Sequence, residues 1–203
     1  LLVDKNIPMN SGCLKPIKIK IPKNCMLNPK YPAAVVAGNV ETSQHLVNAL
    51  LSALNVMSSS QGTMNNLTFG NEKYQYYETI CSGSPAGPGY NGTDAIQVHM
   101  TNSRLTDPEI LEIKFPVLLD DFHIRPNSGG KGKYKGGNGI FRKITFKEPM
   151  ELAILSSNRK IKPHGLNGGE DGKVGKNYII RKNNTKEILE GCDYRKVLEG
   201  DSI

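Results

Sequence analysis

The sequence lacks tryptophan, long apolar runs and paired-cysteine motifs, and each absence excludes a class of protein. No apolar stretch in its 203 residues approaches the about 20 residues that a membrane-spanning helix needs, so we expect no membrane span. The net charge of +7 would suit nucleic acid, but the basic residues are mostly dispersed lysines without interleaved aromatic side chains. We therefore attribute this charge to solvated lysines and expect no nucleic-acid partner.

The four cysteines are widely spaced, at Cys13, Cys25, Cys81 and Cys192. Their spacing matches neither a disulfide-stapled scaffold nor a CxxC zinc site, so we expect reduced thiols, with one disulfide pair as the open alternative. Cys81 is expected to be a packing residue, because a nucleophilic thiol needs a base or a positive charge beside it. The N-terminal LLVDKNIPMN has no export pattern and no initiator Met, which indicates a cytoplasmic protein whose numbering begins inside a longer product.

The clearest helix prediction begins near Thr42 or Ser43, either of which can cap it, and ends around Val56. It has a wide apolar face, formed by Leu46, Val47, Leu50, Leu51, Ala53 and Leu54. A second, short helix is predicted to begin at Pro108, with Asp107 as its cap.

Alternating or β-branched segments predict strands at residues 17–22, 33–37, 66–69, 74–80, 117–119, 123–125, 140–146, 152–155 and 178–181. Glycine-rich turns separate the later strands, and two similar glycine phrases suggest two hairpins of related design. We therefore predict an α+β fold. A mixed lobe with one main helix spans residues 1–114 and contains the pocket segments, and a β-rich, glycine-turn lobe spans residues 115–203.

Several polar side chains lie close to predicted buried segments: Asn39, Glu41, Gln44, Gln61, Asn65 and Asn66. A buried amide or carboxylate needs hydrogen bonds, so these residues either pin the loops around the helix or face a ligand pocket. Glu41 directly precedes the helix, where the helix dipole favours an ionised carboxylate. His99 is either a general acid or base, since histidine titrates near neutrality, or a hydrogen-bonded structural residue.

The loop SGSPAGPG, residues 82–89, has neither the GxxxxGK[ST] spacing nor a GxGxxG that enters a helix. We expect its glycines to permit tight turns and close backbone approach. A role in lining a pocket for a small ligand stays open.

Seven collinear words resemble the C-terminal part of the B subunit or domain of the hydantoinase B/5-oxoprolinase family. They are PAAVVAGN (32–39), GNVETSQ (38–44), SQGTMNNLTFGN (60–71), YYETICSGSPAGPG (76–89), HMTNSRLTDPE (99–109), NSGGKGKYKGGNG (127–139) and HGLNGGEDGKVGKN (164–177). The words cover nearly the whole chain, and several words in one order are far more specific than a single motif. The resemblance does not distinguish 5-oxoproline from hydantoins or other cyclic amides.

The resemblance implies an ATP-dependent cyclic-amide hydrolase in which this chain acts only within a larger, oligomeric assembly. ATP would be bound by a hydantoinase A-type partner, and the N-terminal half of the B component would be a second partner. The resemblance also makes His99 and Glu41 candidate catalytic residues, and Asn39, Asn65 and Asn66 candidate substrate-binding residues. It carries over no metal ligand to this chain. The alternative is a non-catalytic fragment or interaction subunit left from a split B gene.

Overall fold

The computed structural model describes residues 6–8, 10–36 and 38–203, and the side chain of Asn39 lies outside the described set. The chain forms two compact units, Leu1–Val36 and Ala37–Ile203. Within the first unit, residues Ser11–Leu14 form a 3₁₀ helix. The side chain of Asn10 caps it by accepting a hydrogen bond from the backbone N–H of Gly12 at 2.9 Å.

The two strand predictions in this first unit are not met. Residues 17–22 form no strand, and Ile17 and Ile19 are 57% and 74% exposed. Residues 33–36 are likewise exposed and irregular, and Ala37 lies outside the described residues. Neither segment pairs with a neighbouring strand in the described part of the unit, and alternation alone cannot supply the backbone hydrogen bonds that a strand needs.

The second unit begins with a π-helical turn, Gly38–Thr42, and contains helices α1 (Ser43–Ala53) and α2 (Pro108–Lys114). Its described strands are β1 (Asn66–Gly70), β2 (Gln75–Thr79), β3 (Val117–Ile124), β4 (Ile140–Phe146), β5 (Met150–Leu155), β6 (Asn177–Ile180), β7 (Lys186–Leu189) and β8 (Cys192–Val197). One main helix with several antiparallel sheets confirms the α+β prediction.

The largest sheet has four antiparallel strands in the order β2-β1-β5-β8. Strand β3 pairs with β4, and β6 pairs with β7, again antiparallel. Strand β1 shows the period-2 pattern on which its prediction rested, because Leu67 and Phe69 are buried while Thr68 between them is exposed. The four-stranded sheet takes strands from both sides of residue 114, and the division into lobes at that residue stays a prediction.

The hydrophobic core draws side chains from all three sheets and from α2. Phe69 packs against Tyr76 with ring centroids 4.7 Å apart, and edge-on against Phe146 at 5.4 Å. Each large apolar side chain buried in this way contributes about 1.5–3 kcal/mol to folding. Strands that are separated in the chain are therefore held together by one aromatic cluster.

Helices α1 and α2 both begin where predicted, at Ser43 and Pro108, but α1 lacks the predicted capping bond from Thr42 and ends earlier. Asp107 Oδ1 accepts hydrogen bonds from the N–H groups of the first turn of α2, at 3.0 and 3.3 Å. Thr42 occupies the N-cap position of α1 without a side-chain capping bond. Its backbone is already helical, with φ −64° and ψ −41°, because the π-helical turn runs directly into α1. Helix α1 ends at Ala53 rather than around Val56.

Helix α1 buries a polar face and leaves part of its leucine face exposed. Gln44 and Asn48 are its buried residues, whereas Leu46, Leu50 and Leu54 are 41%, 54% and 64% exposed. An amphipathic helix normally packs its apolar stripe inward, so this orientation needs polar partners in the interior. None of the described helices is long and apolar enough to cross a membrane.

Candidate functional site

Glu41 lies in the π-helical turn and directs its carboxylate toward β1. Its Oε1 accepts a hydrogen bond from Asn66 Nδ2 at 2.5 Å and another from the backbone N–H of Met64 at 3.4 Å. Its Oε2 is buried and has no hydrogen-bond partner among the described residues. Since a buried oxygen normally has a donor, Oε2 is the acceptor in this turn that a ligand or a water molecule can use.

Asn66 extends this contact into a continuous chain of hydrogen bonds. Its Nδ2 also donates to the carbonyl oxygen of Leu155 at 3.4 Å, and its Oδ1 accepts from the hydroxyl of Tyr77. Burial, followed by the negative charge of Glu41, raises the pKa of Tyr77. The phenol therefore stays protonated and acts as a donor, which orients the Asn66 amide toward Glu41.

His99 is fixed by the buried polar face of α1. Its Nε2 lies 3.1 Å from Oδ1 of Asn48, and the backbone N–H and hydroxyl of Ser60 approach the same oxygen at 3.1 and 3.0 Å. A backbone N–H can only donate, so this atom is the amide oxygen, and Nε2 of His99 carries the proton. Burial lowers the pKa of His99. The ring is therefore held neutral, with Nδ1 as a proton acceptor.

Gln44 positions the backbone on both sides of His99. Its Nε2 donates to the carbonyl oxygen of Val98 at 3.1 Å, and its Oε1 accepts from the N–H of Met100 at 2.9 Å. His99 itself has φ 54°, in the left-handed region that non-glycine residues seldom adopt. Such conformations persist where the surroundings hold them and cluster at functional sites. These contacts also explain why α1 turns Gln44 and Asn48 inward.

The structure therefore separates the predicted site residues. Glu41 and Asn66 contact each other, whereas His99 is bonded to Asn48, and no hydrogen bond between described residues joins the two clusters. The side chain of Asn65 donates to Ile80 O at 3.2 Å, and none of its described hydrogen bonds involves Glu41. For Asn39, the side chain is outside the described set. The catalytic and binding roles of these five residues stay predictions.

A cavity of about 730 Å³ has Asn65 among its lining residues, whereas Glu41, Asn66 and His99 do not line it. Glycine-rich segments within residues 82–88, 128–139 and 163–175 line it, together with parts of β4 and β6. Among its described lining residues, eight are lysine or arginine, and Glu170 is the one acidic side chain. Its size falls in the range of about 300–1,000 Å³ that small-molecule sites occupy. The cavity is thus large enough for a small ligand, and the charged residues that line it are mostly basic.

The glycines of this region allow backbone segments to pack directly on one another. A Cβ on Gly83 would lie 2.2 Å from the backbone of Gly137, and one on Gly92 would lie 2.1 Å from the carbonyl oxygen of Ser84. Real Cβ contacts are never this short, so these positions require glycine. The expectation of close backbone approach is confirmed, and Ser82–Pro88 lines the cavity.

Arg142 borders the cavity but is already neutralised. Its Nε and Nη2 donate to the two carboxylate oxygens of Glu78 at 2.8 and 2.9 Å, and the two side chains are only 4% and 2% exposed. The hydroxyl of Tyr76 donates to the same carboxylate at 2.8 Å. Burial is the main cause that raises the pKa of Tyr76 to about 12, so it remains a donor. This bidentate pair joins β2 to β4.

Arg159 differs, because it has no carboxylate partner among the described residues. Its Nε donates to Asn177 Oδ1 at 2.9 Å, and its Nη1 contacts Ser157 O at 2.6 Å and Asn65 Oδ1 at 3.5 Å. Asn65 is among the site residues predicted from the sequence, whereas Arg159 is not. The lysine- and glycine-rich segments that line the cavity indicate a basic site in the sequence. They do not show which of the basic side chains lacks a carboxylate partner.

Two further features bear on the chemistry. Cys81 is 7% exposed, and burial is the main cause that raises the pKa of its thiol, which agrees with the expected packing role. In the described part of the chain, no three histidine, cysteine, aspartate or glutamate side chains come together as a metal site.

Comparison with known proteins places this geometry in context. The model of the Hydantoinase B/oxoprolinase family matches residues 1–203. The chain is 51% identical over 202 residues to 5-oxoprolinase 1 of Arabidopsis thaliana, covering 100% of this chain and 16% of that relative. It is 50% identical over 190 residues to the 5-oxoprolinase of Dictyostelium discoideum, covering 94% of this chain and 15% of that relative. The chain therefore spans about one-sixth of the length of these relatives.

Among solved structures, the fold resembles the ATP-dependent caprolactamase from Pseudomonas jessenii. The TM-score is 0.63 at 20% sequence identity, and the match covers 76% of this chain and 30% of that chain. This likeness concerns the fold.

Proposed function

The chain belongs to the Hydantoinase B/oxoprolinase family, and from that premise we propose that it is part of an ATP-dependent cyclic-amide hydrolase. We infer the 5-oxoprolinase or N-methylhydantoinase type, with this chain in the substrate-conversion B component. The observation that carries the proposal is the identity of about one-half to two 5-oxoprolinases over nearly the whole chain. A cytoplasmic, oligomeric assembly with a hydantoinase A-type subunit and the N-terminal half of the B component completes this proposal.

ATP, bound by the A-type partner, supplies the activation of the amide carbonyl. The residues of this chain would then handle protons and orientation. His99 is neutral with Nδ1 available, so it suits removal of a proton from an attacking water molecule. Asn65, which lines the cavity, would hold the substrate amide. Asn66 would position Glu41, whose unpartnered Oε2 would accept a hydrogen bond from water.

The test is a substrate panel on the reconstituted assembly. We expect ADP formation and ring opening to depend on ATP and on one cyclic amide among 5-oxoproline, hydantoin and N-methylhydantoin. Glu41→Gln keeps an oxygen for Asn66 and replaces Oε2 with an amide nitrogen. If Oε2 takes part in proton transfer, turnover should fall by about a hundredfold or more.

Glu72→Gln, in an exposed turn, is the matched control and should leave turnover unchanged. Wild-type turnover in Glu41→Gln would remove Glu41 from the catalytic residues. No ATP-dependent ring opening of any panel member would overturn the proposed function.

A non-catalytic interaction subunit is the second candidate, and the exposed leucines of α1 favour it. It predicts an assembly that forms with the chain but whose turnover is unchanged in His99 and Glu41 variants. The same panel therefore separates the two functions.

A further inference from the structure

Arg159 is a partly buried cation that has no carboxylate partner among the described residues. It lines the cavity, and its described hydrogen bonds use Nε and Nη1, with amide or carbonyl oxygens as acceptors. Burial, and then the nearby charge of Arg125, lower the pKa of Arg159 to about 10. A charge that is largely removed from water normally has a partner of opposite sign, as the fully buried Arg142 has in Glu78. An anionic ligand would therefore supply the negative charge that Arg159 lacks among the described residues.

Arg125 strengthens this positive charge. It lines the same cavity, and its side chain donates through Nη1 to the carbonyl oxygen of Val174 at 2.9 Å rather than to a carboxylate. Its charge lowers the pKa of Arg159, which means that the two guanidinium groups repel each other. An oxyanion between them would remove that repulsion, and guanidinium groups bind carboxylate and phosphate oxygens in a bidentate geometry.

The fold also makes room for this guanidinium. A Cβ on Gly175 would lie 2.4 Å from Nη1 of Arg159. Asn177 and Ser157, from opposite sides of the glycine loop, hold Nε and Nη1 in place. The side chain is thus fixed by its neighbours instead of being an exposed cation that happens to border a cavity.

Gln61 adds an unpartnered acceptor to the same wall. It is 4% exposed and lines the cavity, and its Nε2 donates to Thr63 O at 2.9 Å. Its Oε1 is buried with no hydrogen-bond partner among the described residues. Ser157 connects it to the cation, since the serine hydroxyl donates to Gln61 O at 2.7 Å and the serine carbonyl accepts from Arg159. A buried amide oxygen of this kind accepts an N–H group.

We propose that the cavity binds a small amide that carries a carboxylate. Arg159 and Arg125 take the carboxylate, and Oε1 of Gln61 accepts the amide N–H. This deepens the proposed function and rests on it for the choice of 5-oxoproline as the probe, because that ring carries both groups. Phosphate oxygens could bind the same arginines, so a titration with inorganic phosphate distinguishes a carboxylate site from a phosphate site.

Isothermal titration calorimetry on the full chain, without ATP or partner, tests the site independently of catalysis. The probes are 5-oxoproline, 2-pyrrolidinone, which has the same ring without the carboxylate, and inorganic phosphate. The variants are Arg159→Gln, Arg125→Gln and Gln61→Leu. Arg195→Gln is the matched control, because Arg195 pairs with Glu187 and Asp193 and does not line the cavity.

We expect wild type and Arg195→Gln to bind 5-oxoproline equally, and each arginine variant to weaken it about tenfold or more. Binding of 2-pyrrolidinone should be weaker than that of 5-oxoproline and unaffected by the arginine variants. Gln61→Leu should weaken both ring compounds. Competition between phosphate and 5-oxoproline, lost in Arg159→Gln, would support the shared oxyanion site.

Equal 5-oxoproline affinity in wild type and both arginine variants would overturn the proposal, as would binding of phosphate but not of 5-oxoproline. Thermal unfolding checks that each variant folds. If Arg159→Gln does not fold, the comparison of wild type with Arg125→Gln tests the proposal. If 5-oxoproline binds in an arginine-dependent way but the assembly shows no ATP-dependent ring opening, the proposed function is wrong and the binding site stands. If the assembly opens the ring but binding does not depend on the arginines, the proposed function stands and the binding site is wrong.

Discussion

Arg142 and Arg159 border the same cavity, yet their removal should have very different effects on stability. Arg142→Gln leaves the carboxylate of Glu78 without its cation in a position where that side chain is 2% exposed. Breaking a buried ion pair by removing one partner costs about 3–5 kcal/mol, since the remaining charge is uncompensated. Among the described side chains, the Tyr76 hydroxyl alone would still donate to that carboxylate.

Arg159→Gln leaves no described carboxylate without its partner. It loses hydrogen bonds to Asn177, Ser157 and Asn65, but it also removes a partly buried charge that has no carboxylate partner among the described residues. Each lost hydrogen bond is worth about 1 kcal/mol, and relief of charge burial offsets part of that loss, so the net cost should be no more than about 2 kcal/mol. Arg142→Gln should therefore destabilise the chain more than Arg159→Gln.

Urea unfolding of the 203-residue chain, followed by circular dichroism, measures both free energies. The double variant Glu78→Gln/Arg142→Gln should recover part of the loss in Arg142→Gln, because no lone charge remains buried. A larger loss of stability in Arg159→Gln than in Arg142→Gln would refute the argument. It would show that Arg159 is a structural cation rather than one available to a ligand.

Three further predictions concern His99, the cysteines and the α1 surface. His99→Ala in the complete enzyme should lower turnover at least about tenfold with a nearly unchanged melting temperature. The pKa of His99 is lower in the folded chain than in the unfolded chain, so the unfolded chain takes up the proton first as pH falls. The free energy of unfolding should therefore fall as pH drops below about 6.5, and His99→Gln should weaken that dependence. Alkylation of the unfolded chain without reductant should label all four cysteines, whereas in the folded chain Cys192 should react faster than Cys81, and loss of two labels would indicate a disulfide. The exposed leucines of α1 predict that the isolated chain self-associates. Leu50→Gln should therefore reduce self-association in analytical ultracentrifugation more than the control Leu198→Gln, and equal sedimentation of both variants would exclude α1 as the contact.

The sequence pattern predicted several elements of the second unit, although the alternating residues 17–22 of the first unit form no strand. Strand β4, Ile140–Phe146, has the predicted bounds, and α2 begins at Pro108 behind its Asp107 cap. Strands β7 and β8 were missed, because KEIL and CDYRKV alternate charged residues with few apolar ones. Their identity as strands comes from pairing with β6 and β5, which is a non-local property.

The candidate site was less predictable than the fold. Glu41 and Asn66 do contact each other, yet the orientation of α1 depends on hydrogen bonds from Gln44 and Asn48 to distant segments. Periodicity reports which residues share a helix face and not which face is buried. Arg159 was missed for a related reason, since burial without a carboxylate partner is visible only in three dimensions.

The most direct test of the central claim is ATP-dependent release of glutamate from 5-oxoproline. The chain alone should release none above background, because activation of the ring carbonyl is assigned to the A-type partner. The chain combined with that partner and the N-terminal half of the B component should release glutamate in proportion to the amount of assembly. Release by the purified chain alone, at a rate proportional to its concentration, would contradict this account.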